Sequence, residues 1–196
     1  MKMFKDGTWL MWLAITMAFM FFLMLPNGAA NEPQQPIIEY TNQDEFITSV
    51  KSCATFENSL LNEDDHVPVE IITAMAVLET GYGKSRFANV ANNLFGIRTW
   101  DLSTPHVKPL GYEGNEIKWA VKKYDTKCDS VKHMISILNN LHFYEKFREA
   151  REQFFNFRGV SLYDMVHTLH PWSTNPEYTN LINLSLIHIS EPTRLG

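Results

Sequence analysis

The stretch that most constrains this chain is residues 67–98. It is an apolar helical run broken off by Gly81-Tyr82-Gly83 and followed by Asn92-Asn93-Leu94-Phe95-Gly96-Ile97. Pro68 suits the first helical position, where a missing N–H costs nothing. Ile71, Met75 and Leu78 recur at spacings of four and three, with Ile72 and Ala76 beside them, so one broad face must be buried. Gly81 ends the helix, because glycine takes left-handed backbone angles without strain, and Gly83 follows closely. Glu79 therefore falls in the last turn, at the negative end of the helix dipole and among apolar neighbours. Both influences disfavour its anion and raise its pKa. A carboxyl group still protonated near neutral pH is what a general acid needs. From the helix alone, a solvated glutamate at a frayed end is the more ordinary reading.

Glu79-Thr80-Gly81-Tyr82-Gly83-Lys84-Ser85, then Ala88, then Asn92 to Ile97 closely resemble the core motif of the bacterial N-acetylglucosaminidases of glycoside hydrolase family 73, in their Bax-like, flagellar-muramidase-related branch. The resemblance runs in order through about residues 42–183. It implies an α+β, mainly α, lysozyme-like domain with a small β-hairpin lobe beside an active-site groove. It implies a hydrolase of peptidoglycan glycan strands in which Glu79 is the catalytic acid. Tyr82, Asn93 and Phe95 would line the groove, the asparagine amides and Phe95 holding an N-acetyl group. Tyr124, in Tyr124-Asp125-Thr126 where the family has Tyr-Asp-Ser, would line the active site. The residues also carry plainer readings. Asn92 and Asn93 are good turn formers, and an aromatic at a strand end packs on a core.

Glycoside hydrolysis usually takes a second carboxylate, to activate water or attack the anomeric carbon. The family places it in a hairpin before the Tyr-Asp segment, where Glu113 and Glu116 lie, and Glu113 ranks first. The substrate's own acetamido oxygen is the known exception to this pattern, and solvated loop glutamates are the ordinary alternative. Trp172, in the loop from Pro171 to Pro176, suits stacking on sugar or packing on the core. His167 and His170 stand three apart on a helical stretch without a further ligand cluster, so a metal site is not expected, and the resemblance implies no organic cofactor.

The rest of the chain frames this domain. A formal net charge of −5 argues against nucleic acid as a partner, and the apolar content supports one domain with a real core. Thr8 to Leu25 is an uncharged, mostly apolar run of 18 residues, preceded by Lys2 and Lys5 and followed by Asn27-Gly28-Ala29-Ala30. Residues 1–30 read as a signal peptide cleaved after Ala30 or as an uncleaved anchor, with a buried core helix as the remaining option. Either main reading places a monomeric domain outside the cytoplasm, touching the membrane only through that segment. Residues 31–41 read as a polar, proline-bearing linker.

A helix is expected over about 43–61, and a strand through Ile117, Trp119 and Val121. Thr126 to Asp129 and Ser161 to Asp164 are capping boxes, with further helices at about 144–155 and from Glu177. Cys53 and Cys128 are either a disulfide, which an exported chain permits, or two buried thiols. Leu184 to Arg194 resembles the translated read-through of a sequencing adapter, so residues 184–196 are expected to be a non-native tail. Two rivals to the hydrolase reading stand: a lytic transglycosylase, which also uses a lone glutamate at a helix end, and a non-catalytic wall-binding or scaffold domain.

Overall fold

The computed structural model describes residues 17, 33–111 and 117–190. The chain divides into two units, and the domain described here begins at Gln35. The signal or anchor segment, apart from Met17, and both Glu113 and Glu116 lie outside the described residues. Among the described residues, no helix is long and apolar enough to cross a membrane.

Helix α1 (Gln43–Ser59) starts on Asn42, whose side chain accepts from the Glu45 N–H, while Glu45 reaches back to the Thr41 N–H at 2.6 Å. At its other end, the buried Asn58 amide pairs with both main-chain groups of Val67 at 2.8 and 3.1 Å. That pairing carries the chain through a 3₁₀ turn (Glu63–Asp65) into helix α2 (Val69–Thr80). Pro68 sits at the cap of α2, one position earlier than expected. Every residue from Ile71 to Val77 is buried, not one face alone. The reason is that α2 packs on α1 at one side and on the last helix, α7 (Tyr178–Ser190), at another.

Short helix α3 (Arg86–Val90) is capped by Ser85. Strands β1 (Arg98–Thr99), β2 (His106–Val107) and β3 (Ala120–Lys122) form an antiparallel sheet in the order β1-β3-β2, with Arg98 and Val107 both opposite Val121. Helices α4 (Lys127–Asn140) and α6 (Leu162–His167) begin on the expected capping boxes, and α5 (Glu145–Phe155) lies between them. The arrangement is α+β and mainly helical, with a small β lobe.

Three expectations need correction. The linker ends earlier than residue 41: Ile38 is buried, Tyr40 donates to the Gly83 carbonyl at 2.9 Å, and the Gln35 amide reaches Glu57 and Asp129 at 2.9 and 3.2 Å. The polar composition stops at Pro36, and Ile38 and Tyr40 after it dock on the domain, while Ile37 stays exposed. The third strand pairs only over Ala120–Lys122, so Ile117 and Trp119 lie before the ladder despite their alternation. Helix α1 stops at Ser59, two residues short.

Cys53 and Cys128 form a disulfide with Cα atoms 5.8 Å apart, stapling α1 to α4. Residues 184–190 continue α7, with Leu186 and Ile189 buried, because spacings of four and three from Ile182 keep them on one face.

Candidate active site

The site is built on the end of α2. Gly81 adopts left-handed angles (φ +57°) and its N–H returns to the Val77 carbonyl at 2.9 Å. Tyr82 and Gly83 follow with φ of 61° and 77°, three left-handed residues in succession. Thr80, itself buried, ties the turn down: its hydroxyl donates to the Ala76 carbonyl and accepts from the Gly83 N–H at 2.7 Å. A Cβ at Gly83 would lie 2.2 Å from the Tyr40 hydroxyl, so glycine is required there by contact as well as by angle. This turn leaves Glu79 half-buried at the helix end.

Two further segments converge on the Glu79 carboxyl group. The Tyr178 hydroxyl, in the first turn of α7, donates to Glu79 Oε1 at 2.7 Å. Asn175 sets up that turn, its side chain accepting from the Glu177 N–H and its carbonyl from the Tyr178 N–H. On the other side stands exposed Gly96, with φ +64°, where an added Cβ would come within 3.9 Å of Glu79 Oε2. Oε2 thus faces a residue that has no side chain to cover it. Burial raises the pKa of Glu79; the Tyr178 hydroxyl and, as a looser second donor, the Trp172 indole N–H partly offset this. Burial and the neighbouring Glu79 push the Tyr178 pKa far up, so Tyr178 stays a neutral donor.

Asn93 requires a correction. It is 1% exposed, its Oδ1 accepts from the Phe95 and Ile97 N–H groups, and its Nδ2 donates to the Ile97 and Lys122 carbonyls. The amide is saturated by main chain, so none of it remains to hold an acetamido group. Asn93 instead fixes the turn that presents Gly96. Phe95 is likewise buried and meets Trp172 edge-on, with ring centroids 6.4 Å apart. Trp172 is half-buried between Phe95 and Tyr144 and reaches the Glu79 carboxyl group. Tyr82 is half-buried and packs edge-on against Phe46. Tyr124 is buried at the end of β3, its hydroxyl within 2.6 Å of His133 Nδ1 rather than on Glu79. Burial and the nearby Asp129 raise its pKa.

The structure therefore joins Glu79, Trp172 and Phe95, and adds Tyr178, which the sequence reading passed over. Tyr178 stands 99 residues from Glu79 and no local pattern marks it. The only cue was its place in the first turn of an apolar helix that had to pack on something. Elsewhere, Cys53, Glu57 and Cys128 offer ligand atoms within 4.8 Å of one another, but both sulfurs are spent on the disulfide. An open cleft of about 840 Å³ between residues 63–66 and α5 contains none of the site residues.

The same fold occurs in the catalytic domain of the autolysin Auto from Listeria monocytogenes, at 17% identity and a TM-score of 0.57 over 91% of this chain and 94% of that one. It occurs again in a glycoside hydrolase domain of FlgJ from Salmonella typhimurium, at 17% identity and a TM-score of 0.54 over 76% of this chain and 98% of that one. The fold is that of a lysozyme-like domain, with Glu79 at the end of a helix. Residues 59–188 match the family described as mannosyl-glycoprotein endo-beta-N-acetylglucosaminidase, and the chain belongs to this glucosaminidase family. Protein bax of Escherichia coli (strain K12) is 29% identical over 126 residues, which are 63% of this chain and 43% of that protein. The chain thus spans less than half the length of the curated relative it matches.

Proposed function

We propose that this chain cleaves the glycosidic bond after N-acetylglucosamine in peptidoglycan strands, with Glu79 as the general acid. The observation that carries this reading is the carboxyl group itself: half-buried, raised in pKa by that burial, and held at Oε1 by Tyr178 while Oε2 faces Gly96. A proton on Oε2 has a donor path into the space above Gly96, where a glycosidic oxygen would sit. Protonation of that oxygen lets an oxocarbenium-like centre develop on the sugar, and water completes the cleavage. Trp172, braced by Phe95, is the surface for a sugar ring to stack on. Tyr82 and Tyr124 remain proposed groove residues, and Glu113 the proposed second carboxylate.

The glucosaminidase family and the likeness to an autolysin catalytic domain support a cell-wall glycan as substrate. Such a substrate places the activity outside the cytoplasm, in keeping with an N-terminal signal or anchor. The test is digestion of purified glycan strands by the chain, with mass spectrometry of the new ends. Reducing-end N-acetylglucosamine is expected. Anhydromuramic ends would make the chain a lytic transglycosylase, and intact strands would make it a binding or scaffold domain.

A further inference from the structure

The β lobe presents a cation that the catalytic reading does not use. Arg98 opens β1, two residues beyond Gly96, so its Cα lies within about 7 Å of the glycine that faces Glu79 Oε2. Ile97 between them turns into the core, which sends Arg98 outward, where it is exposed. Its guanidinium stacks over the Trp119 ring at 4.2 Å from the centroid. The register explains the pairing. Arg98 stands opposite Val121, and Trp119, just before the ladder, precedes Val121 by two residues, so its ring falls on the same side as Arg98. Trp100 is 69% exposed.

Stacking uses the face of a guanidinium and leaves its in-plane N–H groups free, in the fork geometry that fits a carboxylate. Among the described residues, Arg98 has no hydrogen-bond or ion-pair partner for those groups. Asp101, the nearest described carboxylate along the chain, spends its Oδ1 on the Ser103 N–H and hydroxyl at 3.0 and 2.6 Å. The formal charge of −5 gives the chain no general attraction for an anionic strand, so recognition of carboxylates has to be local.

We propose that Arg98, pre-oriented by Trp119 and flanked by Trp100, binds a carboxylate carried on the glycan strand next to the scissile bond. Peptidoglycan bears such groups in two places, the peptide stems and, where stems are removed, the lactyl side groups. The subsite makes the chain discriminate between charged wall strands and neutral N-acetylglucosamine oligomers. This inference rests on the glycan-cleaving reading above.

The test reads binding and needs no turnover. In the full chain carrying Glu79→Gln, calorimetry compares three oligomers of equal length: stem-bearing strands, strands stripped of stems with free lactyl groups, and neutral N-acetylglucosamine oligomers. Adding Arg98→Gln is expected to weaken at least one charged ligand tenfold more than the neutral one, and which one weakens identifies the source of the carboxylate. Arg98→Lys, which keeps the charge and loses the fork, is expected to recover only part of that difference. Equal losses on all three ligands, no loss on any, or no binding to any overturns the proposal. Thermal melting of each variant separates lost binding from lost fold. Failure of the unmutated chain to cleave any of the three strikes the hydrolase reading instead, while the binding ratio still decides the subsite.

Discussion

Glu79 hangs from a helix buried from Ile71 to Val77, whereas the lobe beside it rests on strands of two and three residues. The helical body is stapled by the disulfide and closed over by Tyr40, Tyr178 and the buried rings of Phe46 and Phe95. The lobe is held by its short ladder, by local bonds among Thr99, Asp101, Ser103 and Thr104, and by a few ties to the body such as Asn93 Nδ2 to the Lys122 carbonyl, and leaves Trp100 and Leu110 about 70% exposed. A proton donor must be positioned to fractions of an ångström, and only a close-packed body does that. Contacts that select among strands tolerate a surface of loops carried on such a scaffold. On the proposed function, chemistry belongs to the body and selection to the lobe.

The largest expected effect comes from Glu79→Gln. Its amide still accepts from Tyr178, so the packing stays, but the transferable proton is gone. Strand cleavage should fall by about 10³-fold. The same variant should melt higher at pH 7. Burial raises the Glu79 pKa in the folded chain above its unfolded value. The stability tied to its proton is therefore present below the unfolded pKa and is lost as pH rises through the folded pKa. Glutamine escapes that loss, so the gain should shrink toward pH 4. A variant that melts lower at pH 7 would break the link between burial and acid function.

Next in size is the staple. Cys53 and Cys128 lie 75 residues apart, and closing a loop of that length stabilises the fold by about 4 kcal/mol. Replacing both with alanine should lower the urea midpoint accordingly. Hydrogen exchange should quicken in α1 and α4 and change little in the lobe. Equal loosening of the lobe would mean that body and lobe unfold as one unit.

What could be read from the sequence follows the same division. The end of α2, Glu79 and both capping boxes are matters of local spacing and side-chain chemistry, and all were legible. Residues that work at a distance were not. Tyr178 reaches Glu79 only because α7 packs on α2, and Ile38 and Tyr40 join the domain only because the core offers them a surface. Asn93 was legible as a turn former, but whether its amide faces sugar or main chain is a three-dimensional fact, and it faces main chain. In the lobe, the Ile117-Trp119-Val121 alternation overstated a strand that has a partner only at Ala120–Lys122.

Two glycines sharpen the comparison directly. Both are left-handed, Gly83 at φ +77° in the body and Gly111 at φ +83° in the lobe. Among the described residues, alanine at 111 meets nothing within 4 Å and pays only for the backbone angle, about 1 kcal/mol. Alanine at 83 has that same cost and also drives Cβ into Tyr40, which must give up its bond to the Gly83 carbonyl and its edge-on contact with Phe46 at 4.8 Å. A loss of about 3 kcal/mol is expected by denaturant titration. Equal losses at the two sites would mean that Tyr40 yields freely and that the body is softer than its packing implies.

The smallest effect is the most specific. Tyr178→Phe keeps the ring in the core and deletes one hydroxyl. That hydroxyl lowers the Glu79 pKa, against the larger upward pull of burial. Removing it should raise the pKa further and carry the alkaline limb of kcat/KM to higher pH, since the proposed cleavage needs Glu79 protonated. The limiting rate at low pH should fall about fivefold, the equivalent of about 1 kcal/mol for one hydrogen bond that orients the carboxyl group. A purely structural tyrosine would lower the rate at every pH without moving the limb. A limb displaced to lower pH would mean that burial does not govern this carboxyl group, and the body would lose its claim to set the acid.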